Sequence, residues 1–263
     1  MKCLTWILES LFELVYPERC SLCGAESGKV AWTPCGDRVA GFRFWDGTHL
    51  CLACDLSLGG GCIGGQVGDG QASSLPVVAA VPTNPDLVKL VGQFKYHGVR
   101  GLAWPLANML RKPLATARKK WGEVDALVPV ALHSRRRRVR GFNQAEILAR
   151  LLTSGSETPV LNDVLVRHRN TGQQAKITSS SERRSNLAAS FKAFPPVGGG
   201  TGHSGGAKRV GLVDDLVTSG WTATCAADAL RAAGWDVRWI LALGLAAEAK
   251  NPSCRVDTWD GGF

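Results

Sequence analysis

Two adjacent carboxylates precede a short segment rich in hydroxyl groups toward the end of the sequence. Asp214 and Asp215 follow the hydrophobic run 209–213, and two aliphatic residues separate them from the segment 218–222. At the start of a helix, hydroxyl and backbone N–H groups bind phosphate, and the helix dipole favours the anion. Two carboxylates repel a phosphate, so we expect them to face ribose hydroxyls or Mg²⁺. This pattern predicts a site for a phosphorylated ribose.

The residues after the acidic pair each have a defined part in this prediction. Three side chains offer hydroxyl groups, a glycine lets the backbone close around an anion, and the remaining position offers its backbone N–H. The alternative is an acidic turn whose threonine and serine only cap a helix, and the second carboxylate argues against it. No G-x-x-x-x-G-K-[ST] motif occurs in the chain, which excludes a Walker loop. The predicted ligand-binding residues are Asp214, Asp215, Thr218, Ser219, Gly220, Trp221 and Thr222.

Two Cys-x-x-Cys pairs in the N-terminal part of the chain have the spacing of zinc knuckles. Each pair presents two thiolates, so together they complete the tetrahedral coordination of one structural zinc ion. Cys35 lies between the pairs and Cys62 follows them, and either is an alternative fourth ligand. Buried structural thiols are the other interpretation. The predicted zinc ligands are Cys20, Cys23, Cys51 and Cys54.

Basic residues are concentrated in two stretches rather than spread along the chain. The first, HSRRRRVR at 133–140, carries five arginines between a predicted strand and a predicted helix. The second, 167–186, is polar and cationic. A solvated loop is the simplest interpretation of each. Arg135 to Arg138 are assigned to surface charge that is suited to a nucleic acid backbone.

Hydrophobic periodicity predicts alternating strands and helices from residue 75 onward, which is typical of an α/β fold with a parallel sheet between helices. Strands are predicted at 76–81, 124–132, 209–213 and 237–244, with shorter ones at 160–166 and around Phe191. Helices are predicted at 86–94, 102–110, 144–152 and 223–233. An amphipathic helix is also expected at 4–15, within an N-terminal module at 1–62, and a glycine-rich linker at 63–75 leads to the domain at 76–263.

Composition narrows the class of protein. The chain has 263 residues, 45% of them hydrophobic, a formal net charge of +9 and nine cysteines. No apolar run reaches the roughly 18 residues that a membrane helix needs, and the N-terminus lacks a signal-peptide pattern. An odd number of cysteines without a secretory signal favours metal binding over disulfides. We therefore expect a cytoplasmic protein without an integral membrane segment.

The segment VGLVDDLVTSGWT (210–222) resembles the signature of type I phosphoribosyltransferases, with two departures. Gly211 replaces an aliphatic residue, and Trp221 occupies a position that is usually small. Three further stretches, together with CSLCG and CLAC, resemble the ComF or ComFC family, phosphoribosyltransferase-like proteins linked to DNA uptake in competent bacteria. They are FKYHGVRGLAWPLA (94–107), VPVALHSRRRRVRGFNQAEILA (128–149) and QQAKITSSSERRSNLAASF (173–191). Within them RGFNQAE is the most diagnostic, and Ala131 replaces a proline.

This resemblance implies a type I phosphoribosyltransferase fold, a parallel sheet flanked by helices with a hood, joined to a small N-terminal zinc ribbon. It also implies that phosphoribosyl pyrophosphate binds with Mg²⁺ at the acidic pair. Asp214 and Asp215 are then catalytic residues together with Arg140, which would neutralise the departing pyrophosphate. The stretch 167–186 corresponds to the mobile loop that closes over the donor.

Two functions are compatible with this resemblance. The first is a phosphoribosyltransferase, a member of the glycosyltransferase class, associated with DNA uptake or DNA metabolism. The alternative is a non-catalytic nucleic-acid-binding scaffold of the uptake machinery, since a fold does not determine a function. Single-stranded DNA and DNA-uptake proteins are the further partners expected, and an oligomer is compatible with the sequence. The acceptor substrate has no recognisable signature.

Overall fold

A computed structural model describes most of the expected elements. It covers residues 20–24, 31–32, 38–39, 54, 61–67, 74–96, 100–168, 190–196, 208–246 and 255–258. Contacts divide the chain into two compact units, Met1–Gly59 with Pro85–Pro105 and Gly60–Asn84 with Leu106–Phe263. The predicted helix at 4–15 lies outside the described residues, as does nearly all of 167–186. The predicted domain limits stay a prediction.

The strands are β1 (Ala31–Trp32), β2 (Arg38–Val39), β3 (Ile63–Val67), β4 (Leu75–Pro82), β5 (Ala126–Pro129), β6 (Leu165–Arg167), β7 (Phe191–Ala193), β8 (Arg209–Val213), β9 (Leu216–Val217), β10 (Asp236–Leu245) and β11 (Arg255–Thr258). The helices are α1 (Pro85–Tyr96), α2 (Ala103–Met109), α3 (Arg111–Trp121), α4 (Ser134–Arg140), α5 (Gln144–Leu152) and α6 (Trp221–Ala232), with a 3₁₀ turn at Arg100–Leu102. None of the helices in the described part of the chain is long and apolar enough to cross a membrane.

A seven-stranded sheet organises the second unit, in the order β11-β3-β4-β10-β8-β5, with β9 also paired to β10. The strands β4, β10, β8 and β5 are mutually parallel. These strands are almost continuously apolar and buried, as expected where helices cover both faces of a parallel sheet. The α/β fold with a mostly parallel sheet is therefore confirmed. A separate antiparallel hairpin is formed by β6 and β7.

Part of the predicted glycine-rich linker belongs to this sheet. Within the segment 63–75, residues Ile63–Val67 form β3, which pairs antiparallel with β4. The expectation of a flexible connector is wrong at these residues, because Ile63 and Val67 bury their side chains in the core while the glycines between them extend the ladder. The low apolar content of the stretch concealed two core positions.

The glycine in β8 is explained by an aromatic side chain of the neighbouring strand. A Cβ at Gly211 would overlap the six-membered ring of Trp239. Trp239 is completely buried, and its Nε1 donates a hydrogen bond to the Gly122 carbonyl at 3.2 Å. An aliphatic residue at 211 and a tryptophan at 239 therefore exclude each other, which accounts for one departure from the phosphoribosyltransferase signature.

Candidate functional site

The acidic loop, defined here as residues 214–220, starts at the carboxyl end of β8, where parallel sheets commonly bind ligands. β10 pairs with β8 before the two carboxylates and with β9 after them. The Asp214 N–H donates to the Leu241 carbonyl at 2.9 Å, and the Asp215 carbonyl accepts from the Leu243 N–H at 3.0 Å. The acidic pair is thus fixed to the sheet through its backbone.

Each carboxylate of the pair also caps the backbone that follows it. Asp214 Oδ1 accepts from the Asp215 N–H at 2.9 Å, and Asp215 Oδ1 accepts from the Leu216 N–H at 2.7 Å. Both aspartates are partly buried. Each of these bonds uses one lone pair of one carboxylate oxygen, and a carboxylate oxygen has two. The pair is therefore oriented before any ligand arrives.

The rest of the acidic loop leads directly into α6. Thr218 and Ser219 are exposed, and Gly220 is the N-cap of α6 with φ 73°, in the left-handed region. A Cβ at Gly220 would lie 2.5 Å from Cγ1 of Val67 in β3. Glycine is therefore required by backbone conformation and by packing, in addition to any contact with an anion. The first turn of α6 has no side-chain cap and begins with Trp221 and Thr222, both partly buried.

The arginine-rich stretch forms a helix, so the expectation of a loop at 133–140 is wrong. Its seven residues, Ser134–Arg140, constitute α4, which we call the basic helix, and none of them is buried. His133 caps its N-terminus by accepting from the Arg135 N–H at 3.2 Å. Successive arginines lack an apolar period but have good helix propensity, and this explains the missed element.

The RGFNQAE motif connects the basic helix to the end of β5. Gly141 ends the basic helix in the left-handed conformation, with φ 79°. Asn143 caps α5, its Oδ1 accepting from the Ala145 N–H at 3.2 Å, while its Nδ2 donates to the Val130 carbonyl at 3.1 Å. Glu146 accepts from Arg137 at 3.4 Å and from Arg150 at 3.3 Å. The motif thus fixes the geometry of the turn between two helices.

Arg140, a predicted catalytic residue, is held by Gln144 of the same motif. Its Nη1 donates to Gln144 Oε1 at 3.1 Å, and Gln144 is only 2% exposed. A buried amide has little rotational freedom, so it limits the directions in which the arginine side chain can extend. The structure therefore positions Arg140 at the end of the basic helix, beside the carboxyl end of β5.

Arg167 brings the predicted regions together, although the sequence did not single it out. Burial lowers the pKa of Arg167 below its ordinary value, and nearby Arg136 lowers the pKa further, whereas Asp214 and Cys225 oppose the shift. The Arg167 side chain lines the same cavity as Ser134 and Arg137 of the basic helix. Arg167 also lies over the Phe191 ring, 5.2 Å from its centroid. In the sequence it was one of many cations in 167–186.

A cavity of about 180 Å³ lies beside β5 and Arg167. The basic helix, the first turn of α5 and the segment 162–167 line it, and its walls combine aliphatic side chains with amide, carboxylate and guanidinium groups. Acidic and basic groups are therefore both available next to the carboxyl edge of the sheet. Among the polar lining residues are Ser134, Arg137, Asn143, Glu146, Asn162, Asp163 and Arg167.

Three of the four predicted zinc ligands come together in the first unit. The sulfur atoms of Cys20, Cys23 and Cys54 all lie within 4.8 Å of one another. Thiolates that share a zinc ion at about 2.3 Å have sulfur separations compatible with this limit, so the cluster has the chemistry and spacing to hold a metal such as zinc. Cys51 and Cys35 lie outside the described residues. Cys62 belongs to the second unit and is not part of the cluster.

Comparison with known proteins gives homologues of one kind. The chain is 30% identical over 141 residues to Competence protein F of Haemophilus influenzae, covering 51% of this chain and 56% of that protein. It is 29% identical over 216 residues to DNA utilization protein YhgH of Salmonella typhi, covering 80% of this chain and 88% of that protein. The chain is therefore similar, over 51% to 80% of its length, to relatives named for competence and for DNA utilization. No protein-family model matches the chain.

Two solved structures show weak similarity to this chain. One is UMP synthase of Leishmania donovani, with 18% identity, a TM-score of 0.29, and coverage of 68% of this chain and 28% of that one. The other is orotate phosphoribosyltransferase of Aeropyrum pernix, with 16% identity, a TM-score of 0.29, and coverage of 60% and 63%.

Proposed function

We propose that the carboxyl edge of the sheet binds phosphoribosyl pyrophosphate with Mg²⁺. The observation that carries this proposal is the acidic loop itself, in which two oriented carboxylates lie five residues before a helix N-terminus that has no side-chain cap. The last three of these five residues are Thr218, Ser219 and Gly220. The hydroxyl groups of Thr218, Ser219 and Thr222, with the first amides of α6, would hold the 5-phosphate. Asp214 and Asp215 would accept from the ribose hydroxyls or bind the metal ion.

The arginines at the same edge would accommodate the other end of this ligand. Pyrophosphate carries several negative charges, and guanidinium groups bind such oxygens with paired hydrogen bonds. Arg140 extends from the end of the basic helix, and Arg167 lies in electrostatic range of Asp214. Cations beside the acidic loop would also offset the repulsion between its carboxylates and a polyanionic ligand.

The proposed chemistry is transfer of the phosphoribosyl group. The bond between ribose C1 and the pyrophosphate oxygen breaks with its electron pair leaving on pyrophosphate, and a nucleophile of the acceptor forms the new bond to C1. Bound Mg²⁺ would stabilise the charge on the leaving group. In this chain Asp214 and Asp215 would orient the ribose, and Arg140 would stabilise the charge on the leaving group. These two contributions are sufficient for a reaction in which the protein forms no covalent bond with the substrate.

Calorimetry tests the binding proposal. Wild-type protein with Mg²⁺ should bind phosphoribosyl pyrophosphate, and Asp215→Asn should weaken this binding by roughly tenfold to a hundredfold, as loss of a charge-assisted hydrogen bond implies. Asp228→Asn is the matched control, because Asp228 is an exposed aspartate on α6 whose described partner is Arg231. Pyrophosphate release that depends on an added nucleophile would establish catalysis. Wild-type protein that binds no ligand at millimolar concentration would refute the proposal.

The alternative function is a nucleic-acid-binding scaffold, and one observation favours it. The basic helix has no buried residue, and Arg135, Arg136 and Arg138 are exposed on it. A helix with several exposed arginines suits a phosphate backbone without base recognition. Relatives are named for competence and DNA utilization, which supports a role for this chain in DNA uptake, with single-stranded DNA and uptake proteins as partners.

Salt dependence distinguishes this alternative. Binding of single-stranded DNA should weaken steeply as salt rises, and replacing Arg135, Arg136 and Arg138 with serine should reduce the slope of log affinity against log salt. Phosphoribosyl pyrophosphate binding should be retained in this variant if the two functions use different residues. An unchanged slope would place any DNA-binding surface elsewhere.

The cysteine cluster is proposed as a structural zinc site, completed by Cys51. Thiolate ligation at all four positions leaves no open position, so the zinc would stabilise the N-terminal module rather than take part in catalysis. Freshly purified protein should contain about one zinc ion per chain, and Cys20→Ser with Cys54→Ser should release it. Metal-free protein with freely reactive thiols would refute this assignment.

A further inference from the structure

Helix α1 contacts the backbone of the first cysteine knuckle through two side chains. Lys89 Nζ donates a hydrogen bond to the Leu22 carbonyl at 2.7 Å, and Gln93 Nε2 donates one to the Ser21 carbonyl at 3.0 Å. Lys89 and Gln93 are four residues apart, so they lie on the same face of the helix. Both of these residues and the knuckle belong to the first compact unit.

The two carbonyls that accept these bonds lie between the metal-binding cysteines. Ser21 and Leu22 are the two residues that separate Cys20 from Cys23. On the opposite side of the turn, the Gly24 N–H donates to the Cys20 carbonyl at 2.9 Å, and Gly24 has φ 75° in the left-handed region. The peptide segment that sets the direction of both cysteine side chains is therefore fixed by its own turn and by a separate helix.

These contacts are distinct from the apolar packing of α1. The buried residues of the helix are Leu87, Leu90, Val91 and Phe94. Lys89 is exposed and Gln93 is partly buried, so neither belongs to that set. Since a lysine in water gains little from a bond to one carbonyl, a contact of 2.7 Å that joins residues 67 positions apart in the chain indicates a defined docking of knuckle and helix.

We propose that Lys89 and Gln93 are positioning residues of the metal site, a role that rests on the proposed binding of zinc by the cysteine cluster. By holding the Ser21 and Leu22 carbonyls they present Cys20 and Cys23 in the conformation that the metal requires. Preorganisation lowers the ordering cost of binding, so their loss weakens affinity although neither touches the metal. Lys89 also brings a positive charge to a loop whose thiolates would give the bound site a net negative charge.

Linkage makes the effect reciprocal. If the clamped knuckle binds zinc more tightly than the free knuckle, zinc stabilises the clamped arrangement by the same factor. Metal binding is therefore coupled to the order of α1, the helix that directly follows β4 in the chain through Thr83 and Asn84. Zinc would then act on a segment about 60 to 70 residues beyond the knuckle.

Competition with a chromophoric zinc chelator measures the effect on the full-length protein. Lys89→Met and Gln93→Met should each weaken zinc binding by about tenfold, the lower end of what loss of outer-shell contacts costs, and the double variant should be weaker than either. Lys89→Arg should retain wild-type affinity because it keeps a donor. Lys119→Met, at an exposed lysine on α3, is the control for loss of one positive charge.

Hydrogen exchange in α1 provides the readout that separates positioning from general damage. Removing zinc from wild-type protein should accelerate exchange of the α1 amides, and the double variant should show the faster exchange even with zinc bound. Affinities within twofold of wild type in all folded variants would overturn the clamp while leaving the zinc site intact. Wild-type protein that binds no zinc would overturn the zinc site and the clamp together, and circular dichroism would identify any variant that is unfolded.

Discussion

The acidic loop and the basic helix follow adjacent parallel strands, β8 and β5, yet different interactions hold them in place. Backbone pairing on β10 and the packing of Gly220 against Val67 fix the acidic loop. The basic helix has no buried residue; His133 and Gln144 accept hydrogen bonds from its two ends, and Asn143, just after it, donates to the Val130 carbonyl. One segment is part of the core, and the other is attached to it.

This difference separates the energetic consequences of mutation. A change at Val217 or Gly220, the buried residues of the acidic loop, or in the strands around them alters buried packing, so it lowers the stability of the whole second unit. A change in the basic helix removes exposed contacts worth about 1 kcal/mol or less each. Loss of ligand binding after a substitution at Gly220 therefore does not isolate a contact with phosphate, whereas substitutions of Ser219 or Arg140 leave the core intact.

The largest expected effect comes from Gly211→Val. A branched side chain at this position would overlap Trp239 in the centre of the sheet, and overpacking of this kind costs about 3 kcal/mol. Urea denaturation should show the loss of stability. The double variant with Trp239→Leu should recover part of it, since the two changes share one space. Two additive losses would show that the ring and the glycine do not determine each other.

A smaller loss is expected for Gly220→Ala. The left-handed conformation costs a residue with a Cβ about 1 to 2 kcal/mol, and the contact with Val67 adds to this. Combination with Val67→Ala removes the contact with Cγ1 but keeps the one with Cβ at 2.9 Å, so it should relieve part of the packing contribution and none of the conformational one. Thermal unfolding of wild type, the two single variants and the double variant measures both contributions to stability. If Gly220→Ala has wild-type stability, the acidic loop is no more integrated into the core than the basic helix.

Asn143→Ala tests the attached segment. It removes the cap of α5 and the bond to the Val130 carbonyl, and we expect a loss of about 1 kcal/mol. Asn143→Asp keeps the cap but not the donor, so its stability should lie between that of wild type and that of Asn143→Ala. A loss as large as that of Gly211→Val would contradict the distinction between core and attached segments.

The smallest effect concerns the opposite end of β5 and β8. Asp125 accepts from the Arg209 side chain at 2.9 Å and from its backbone N–H at 2.8 Å, and these bonds hold the pKa of Asp125 below its ordinary value. A lowered folded-state pKa contributes stability above the unfolded value of 3.8 and loses it as the pH falls through the folded value.

Asp125→Asn should therefore be less stable than wild type near neutral pH, by less than about 1 kcal/mol because both side chains are exposed. The difference should shrink as the pH falls below about 4. Denaturation of both proteins across this range is the measurement. A difference that is constant with pH would exclude an electrostatic origin.

The sequence predicted the elements in which local and tertiary preferences agree. Helix α5 was predicted with its observed bounds because its apolar residues recur on one face, and the strand Arg209–Val213 was predicted from its continuous hydrophobic run. No element was predicted for α3 (Arg111–Trp121), whose many cations and internal Pro113 obscure its buried residues. The basic helix was missed because it has no buried face at all.

Of the candidate site, the sequence could predict only the motifs whose residues are neighbours in the chain. The acidic pair and the hydroxyl-rich loop could be read directly, and their ligand roles stay predictions. Contacts between distant segments were not accessible, because nothing in the sequence connects Val67 with Gly220 or Arg167 with Asp214. The zinc ligands were partly accessible, since Cys-x-x-Cys spacing is local, and three of them converge.

Strand pairing on either side of Asp214 and Asp215 fixes the number of residues between β8 and β9. Val213 is paired with Leu241 and Leu216 with Gly244, so three steps along one strand match three steps along the other. Inserting or deleting one residue between Val213 and Leu216 would shift β9 against β10 and move Gly220 away from Val67. Tolerance to insertions should therefore be lowest at this position of the second unit, and the sheet itself permits two residues there, neither one nor three.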